Sequence, residues 1–473
     1  MDVHIRLFKR PGELVAAIIG LVVVIELALT IGWQGMIGQP VLRVAAPATQ
    51  WVEGGLSPYG PGFEQELLDR FCADNGMSWV WMKARSWDDA WEMLRDGRAD
   101  VVLGLGSNPP DSLAVPIAAG PAYARFEPLL IKAQDAPDPA KTCGSVFVAA
   151  GPALDAVALN MPPREGCAPT PVAANQSSLR PILEALDSED SDGPSAALVD
   201  SGRFQLLQPF YHTVKADRRL PGDIEYRWFW SERSPELARA LDDFWGRTIE
   251  SDTFASMRER YFGFLPEETD YYELYHLLKT LRNKLPRYEE QILSAARENG
   301  IDPLLLVALI YQESRFNPRA ESKTGVRGLM QLTQATAADL GVNRNDPFQS
   351  IDGGARYLKE LYRSFEDTGL SPYQRWFFTL AAYNRGRGHV EDAMELARSL
   401  GGTGTSWLEL KESFPKLSYE KYYRNARYGY TRGREVVHYV DNVRYYYYVL
   451  HGLVVLSRPE AQQLAAFTAM SPL

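Results

Sequence analysis

The sequence predicts a multidomain chain: an apolar N-terminal helix, then an α/β domain, then an all-α domain. Three observations predict it. Leu14 to Trp33 is mainly apolar; short apolar strands alternate with amphipathic helices from Leu42; and beyond Tyr288 apolar residues recur at helical spacing with no strand pattern. A chain of 473 residues has room for two or three domains, and 45% apolar residues exclude wholesale disorder.

The N-terminal segment, residues 1–40, is read as a membrane anchor. Leu14 to Trp33 is interrupted only by Glu26 and is long enough to span a bilayer, which takes about 20 residues. Arg6, Lys9 and Arg10 precede it, and this positive flank predicts a cytoplasmic N-terminus with the remainder outside the inner membrane. A cleaved signal peptide shares the charged start, and would leave outer-membrane association open. No small-x-small cleavage site follows, however, and no cysteine offers itself for lipidation. Either way the working domains are exported to the periplasm.

The net charge of −10 supplies no basic excess to neutralise phosphates, which argues against a nucleic-acid partner. Cys72, Cys143 and Cys167 are too few for a disulfide framework, although Cys143 and Cys167 are placed to pair in an oxidising compartment; a buried free thiol is the alternative for each. The six histidines form no cluster at ligand spacing, so no metal site and no cofactor is expected.

Residues 41–266 carry the α/β pattern. Phe63, Leu67 and Phe71 share one helix face, ended by Asn75-Gly76; Trp79 to Met82 reads as a strand. Ser86 caps a helix carrying Trp87, Trp91 and Leu94, and Asp100 to Gly104 reads as the next buried strand. Asp187 to Ser195 is acidic and lacks apolar residues, as a mobile surface loop would. In residues 267–473, Glu267 to Pro286 reads as a charged, Tyr-rich connector. Tyr288, Ile292, Leu293 and Ala296 then open the helical region; Ile351 to Phe365 and Trp376 to Tyr383 continue it. Tyr445 to Tyr448 point all round a helix, so packing is expected for at least two of them.

The chemistry centres on Glu313. Asp302 is a good N-cap and Pro303 suits the first helical position, so Leu304 to Tyr311 reads as a buried helix, apolar nearly all round. Phe316-Asn317-Pro318 stops it and leaves Glu313 in the last turn. There an apolar wall and the negative end of the helix dipole both oppose ionisation. A carboxyl kept protonated near neutral pH can give its proton to a leaving oxygen, as glycosidic cleavage requires. A surface glutamate at a helix end fits the same local pattern. The following loop has Gly325 and Gly328 for tight turns, Ser322 and Gln331 as hydroxyl and amide for a sugar, and Met330 as an apolar floor.

Four ordered motifs decide between those readings: Glu313-Ser314-x-Phe316-x-Pro318-x-Ala320-x-Ser322, Gly325-x-x-Gly328-Leu329-Met330-Gln331, Ala382-Tyr383-Asn384-x-Gly386-x-Gly388 and Glu435-x-x-x-Tyr439-Val440. In these the C-terminal region resembles the lysozyme-like domain of bacterial lytic transglycosylases of the soluble type. Val326, Gln334 and Arg385 depart from the pattern, Arg385 replacing the alanine that usually follows Tyr-Asn. The resemblance implies a peptidoglycan lyase: Glu313 protonates the bond between N-acetylmuramic acid and N-acetylglucosamine. It then acts as base on the muramoyl 6-hydroxyl, closing a 1,6-anhydro ring without water. Ser322, Met330 and Gln331 would line the groove, Tyr383, Asn384 and Tyr439 would flank Glu313, and Glu435 would support the Tyr439 helix. Glu321 and Asp339 are the only nearby carboxylates, and neither is obviously placed as the second group that most glycosidases use.

The α/β region is similar to extracellular solute-binding proteins of the amino-acid-binding class, through Gly62-Phe63, Trp87, Gly97-x-x-Asp100, Pro121-x-Tyr123, Val199-Asp200-Ser201 and Arg260-Tyr261-Phe262-Gly263. That implies a periplasmic-binding-protein-like domain of two lobes, one from about 41–130 plus 228–266 and the other between. The family's ligand-gripping Arg is absent from Ser107 to Ala114, so a peptide stem, another small molecule or no ligand stay open. Two functions follow. One is an envelope enzyme acting on peptidoglycan glycan strands and tuned by its binding domain; the other is an exported sensor whose lysozyme-like domain holds glycan without cleaving it.

Overall fold

In the computed structural model, residues 40–47, 55–106, 115–136, 145–149, 152–159, 170–173, 178–188 and 194–468 are described. The expected anchor, Cys143, Cys167, Ser107 to Ala114 and the centre of the acidic 187–195 segment lie outside them. Among the described residues no helix is long and apolar enough to cross a membrane.

The first lobe is built on a twisted sheet whose centre is buried on both faces. Strand β1 (Val41–Pro47) runs parallel to β2 (Ser78–Ala84) and to β3 (Val101–Gly106). Strands β4 (Ile117–Ala119) and β5 (Ala124–Phe126) pair with β11 (Ile224–Ser231), which itself lies antiparallel to β3. Trp228, Phe229 and Trp230 of β11 are all enclosed, the near-continuous apolar run that a doubly covered strand needs. Phe63, Leu67 and Phe71 on helix Phe63–Asp74 and Trp87, Trp91 and Leu94 on helix Trp87–Arg95 cover the sheet. Asp100 fixes the β1–β3 register: it accepts from Arg43 Nε at 3.0 Å and from Arg43 N at 2.8 Å.

The second lobe has its own sheet, in the order β10 (Val214–Arg219), β6 (Pro128–Ala133), β9 (Ala196–Asp200), β7 (Ser145–Val148) and β8 (Thr170–Ala173). The chain crosses between lobes before Pro128 and again between Arg219 and Ile224, which gives the two-lobed architecture. Leu129 and Leu130, expected in the first lobe, therefore belong to the second. Asp200 and Arg203 are a fully enclosed ion pair at the end of β9. Asp187 is the last residue of helix Arg180–Asp187 and accepts from Arg458 at 2.8 Å, so this end of the acidic segment is fixed structure.

Among its described residues the C-terminal domain is helical, with only isolated bridges at Glu321, Arg327 and Leu332. Its spine is the helix Gly433–Val455, packed against helices Pro303–Ser314, Pro372–Arg385 and Trp407–Lys416. The connector differs from the sequence reading: Tyr271–Asn283 is a regular helix capped by Asp270, with Leu274, Leu277 and Leu281 buried along one face. Tyr446, Tyr447 and Tyr448 are buried, and Tyr448 donates to Leu206 O at 2.7 Å, so the tyrosine block joins the domains.

That interface is centred on Arg444, which has no exposed surface. Its guanidinium donates to Glu259 Oε1 at 2.7 Å and to the Glu259 and Arg260 carbonyls at 3.0 Å, and it stacks 4.1 Å from the Phe377 ring centroid. Burial pushes the Glu259 carboxyl up, but Arg444 and Lys411 together outweigh it and hold it below the usual carboxylate range. Tyr59 from the first lobe donates to Arg444 O at 2.7 Å. Beside it an aromatic cavity of about 460 Å³ lies at the N-terminal end of the Pro303–Ser314 helix, the end remote from Glu313.

Candidate active site

The helix that carries Glu313 is held at both ends. Asp302 caps its start, accepting from Leu304 N at 2.7 Å, and Pro303 to Tyr311 are buried without interruption. Its end is a left-handed turn made by two residues with side chains, Arg315 at φ 49° and Phe316 at φ 55°. Such conformations cost of order 1–3 kcal/mol each and persist only where neighbours over-determine them. The neighbours are visible. Lys284 donates to Arg315 O at 2.7 Å, Glu273 accepts from Arg315 at 2.6 Å and from Tyr311 Oη at 2.9 Å, and Phe316 is buried. The connector helix thus fixes the turn that presents Glu313.

The loop Ala320–Leu332 forms the facing wall. Ser314 Oγ donates to Leu329 O at 2.8 Å and Tyr383 Oη donates to Met330 O at 2.9 Å, which ties the loop to both catalytic-side helices. Gly328 sits at φ 83°, and a Cβ there would lie 2.0 Å from Arg344 O, so only glycine fits. Gln331, at φ 47°, is the third of four left-handed non-glycine residues among those described; three of the four thus bracket the Glu313 site.

Glu313 itself is only partly exposed and accepts a short hydrogen bond from Tyr439 Oη. Burial pushes its carboxyl up from the ordinary value of 4.5 to about 8, against the opposing pull of the Tyr439 hydroxyl. No neighbouring charge contributes to the rise. Burial, then the charge of Glu313, raises the hydroxyls of Tyr383 and Tyr439 well above the ordinary tyrosine value, so both remain neutral donors. The ring of Tyr357, which the sequence reading did not single out, lies 5.4 Å from that of Tyr383.

Glu313, Tyr383 and Tyr439 are therefore brought together, and Asn384, next to Tyr383 in the chain, is exposed. Other expected residues contribute differently. Met330 is wholly enclosed, its side chain against Gly354, so it offers the groove its backbone and no apolar floor. Gln331 Nε2 donates to Gly328 O at 2.9 Å and Ala320 O at 3.1 Å, and Ser322 Oγ accepts from Thr324 N at 3.2 Å; both shape the loop. Glu435 is exposed and accepts from Arg432 at 3.2 Å. Glu321 pairs with Arg327 at 2.7 Å and Asp339 is exposed, so neither stands as a second enclosed carboxyl. Ser350, fully buried, accepts from Met330 N at 3.2 Å. Sequence gave no signal for it, because a buried serine in an amphipathic helix has no motif of its own. Among the described residues no group of His, Cys, Asp and Glu is arranged to hold a metal ion.

The Transglycosylase SLT domain family matches residues 290–403, which include Glu313, the loop and Tyr383-Asn384, and end before Tyr439. The chain is 34% identical over 401 residues to the membrane-bound lytic murein transglycosylase F of Ectopseudomonas mendocina (strain ymp), covering 82% of this chain and 80% of the relative. It is 39% identical over 293 residues to that of Stutzerimonas stutzeri (strain A1501), covering 62% and 60%, and 43% identical over 252 residues to that of Shewanella sediminis (strain HAW-EB3), covering 53% and 52%. With the latter two relatives the aligned stretch thus spans less than two thirds of their length. Among solved structures, a histidine kinase sensor domain with similarity to periplasmic binding proteins matches at 15% identity and a TM-score of 0.38, over 48% of this chain and 97% of that one. The substrate-binding protein of an amino acid ABC transporter matches at 10% identity and a TM-score of 0.38, over 47% and 99%.

Proposed function

The chain belongs to the membrane-bound lytic murein transglycosylase F family, and from that premise we propose that Glu313 is its single catalytic acid–base, cleaving the β-1,4 bond between N-acetylmuramic acid and N-acetylglucosamine in peptidoglycan. The observation that carries this reading is a carboxyl at the site held protonated near neutral pH. Burial brings Glu313 to about 8, so at pH 7 the proton is present for the leaving glycosidic oxygen. Tyr439 then stabilises the carboxylate left behind, since its hydroxyl already donates to Oε1.

With no second enclosed carboxyl beside Glu313 among the described residues to attack carbon or position water, the substrate's own 6-hydroxyl is the nucleophile. The proton Glu313 gave leaves with the N-acetylglucosamine 4-hydroxyl, and the Glu313 carboxylate takes the 6-hydroxyl proton as the C1–O6 bond closes the 1,6-anhydro ring. Tyr383, Asn384 and Tyr439 flank the bond undergoing cleavage, the Ser322–Gln331 loop forms the acetamido-side wall, and Glu435 supports the Tyr439 helix from its exposed face. No cofactor enters. Residues 1–40 tether the protein to the membrane, residues 41–266 form a binding domain that modulates residues 267–473, and the working domains face the periplasm.

Digestion of purified sacculi tests the reaction. Anhydro-ended muropeptides from the unaltered protein, and none from Glu313→Gln, are expected. Reducing ends would make the protein a hydrolase, and intact sacculi would favour a glycan-holding sensor.

A further inference from the structure

Arg385 is the residue at which this chain leaves the Tyr-Asn motif's usual pattern, and the fold gives it a specific place. It is the last residue of helix Pro372–Arg385, two positions beyond Tyr383, so its Cα lies ~5 Å from that of a residue beside Glu313. Its Nε donates to Thr431 Oγ1 at 2.8 Å, and Thr431 is completely buried in the short segment that leads into the Tyr439 helix. The guanidinium is thus fixed by one nitrogen while the residue itself is exposed.

Three arginines close in the chain to Arg385 or Thr431 are paired with carboxylates, and Arg385 is not. Arg387 pairs with Glu391 at 2.9 Å, Arg424 with Glu420 at 2.7 Å and Arg432 with Glu435 at 3.2 Å. Among the described residues no carboxylate pairs with Arg385; Thr431 is its one hydrogen-bond partner. In that segment Thr431 is buried while its neighbour Tyr430 is 52% exposed, its ring edge-on to that of Tyr423 at 5.7 Å. An exposed aromatic residue and an anchored guanidinium without a carboxylate are thus linked through Thr431, just beyond Asn384. That combination suits a sugar ring bearing a carboxylate.

We propose that Arg385 is a specificity-determining residue that binds a carboxylate carried by the muramoyl residue, with Tyr430 against the adjoining ring. This rests on the peptidoglycan reading above. The carboxylate has two sources in such strands, the lactyl group itself where the peptide has been removed and the free carboxylates of the peptide stem where it has not.

The test uses the full chain in detergent and three glycan preparations: native strands, strands stripped of peptide by an amidase, and strands whose carboxylates have been converted to neutral amides. For Arg385→Ala, KM on the strands that carry the recognised carboxylate, native or stripped, is expected to rise about five- to tenfold with kcat within about twofold, and to be unchanged on neutralised strands. Arg385→Lys should recover part of the affinity, and Thr431→Val, which keeps the charge and loses the anchor, should give a smaller rise. A KM rise that appears only on stripped strands, where the amidase has freed the lactyl carboxylate, assigns that group, and one confined to native strands assigns the peptide. Equal loss on neutralised strands, or a fall in kcat with KM unchanged on all three, overturns the proposal and makes Arg385 a clamp between the two helices. Absence of anhydro products from the unaltered protein would instead remove the peptidoglycan reading, and is seen before any variant is compared.

Discussion

Glu313→Gln removes the carboxyl whose ionisation the fold opposes, so the inactive variant should also be the more stable one, by an amount set by pH. Below about pH 4 the carboxyl is protonated in folded and unfolded chains alike, and the two proteins should match. As pH rises, the unfolded chain releases its proton near 4.5 while the folded chain holds it to about 8. Across that window the unaltered protein binds more protons folded than unfolded and loses stability; the variant does not. The full interval corresponds to about 4–5 kcal/mol, and the partial exposure of Glu313 reduces this to about 2–3 kcal/mol. Glutamine can still accept from Tyr439, so the comparison isolates the charge. Urea unfolding of both proteins at about pH 4, 6 and 8 reads the difference, which should open progressively from zero. A constant offset, or none at any pH, would refute a destabilised carboxylate.

Tyr439→Phe deletes the hydroxyl that favours the ionised form of Glu313, so the falling limb of the pH–kcat/KM profile should move to higher pH by about one unit, with a lower maximum; an unmoved limb would dissociate Tyr439 from Glu313. Gly328→Ala places a Cβ against the Arg344 carbonyl at φ 83°, and should cost about 2–4 kcal/mol of stability in a thermal melt while impairing turnover. Arg444→Met leaves Glu259 with Lys411 alone at the domain junction; a loss of about 3 kcal/mol and faster proteolysis between the domains are expected, with Arg444→Met/Glu259→Gln recovering part of it. Wild-type resistance in the single variant would show that the junction does not depend on this pair.

Much of the site was legible because its signals are local. The Asp302 cap, Pro303 and the unbroken apolar run define the Glu313 helix within its own sequence, and the raised carboxyl follows from that burial. The strands of the first lobe were readable for the same reason. What was not legible depends on long-range pairing. Glu273 supports the turn after Glu313 from 42 residues earlier in the chain, and the connector's hydrophobic face was obscured by its charges and tyrosines. Met330 looked like a groove floor because its loop is polar, yet Gly354 opens a slot that takes it into the core. Arg444 carries no local mark of its burial; only the folded junction supplies Glu259, Phe377 and Phe264 around it.

Protonation of Glu313 can be observed directly by NMR, with isotope-labelled glutamate side-chain carboxyls and Glu313→Gln to assign the resonance. A titration midpoint at about 8 is expected, falling out of step with the exposed glutamates. A midpoint near 4.5 would mean that the group is already ionised where it is required to give up a proton, and the acid role assigned to it here would not stand.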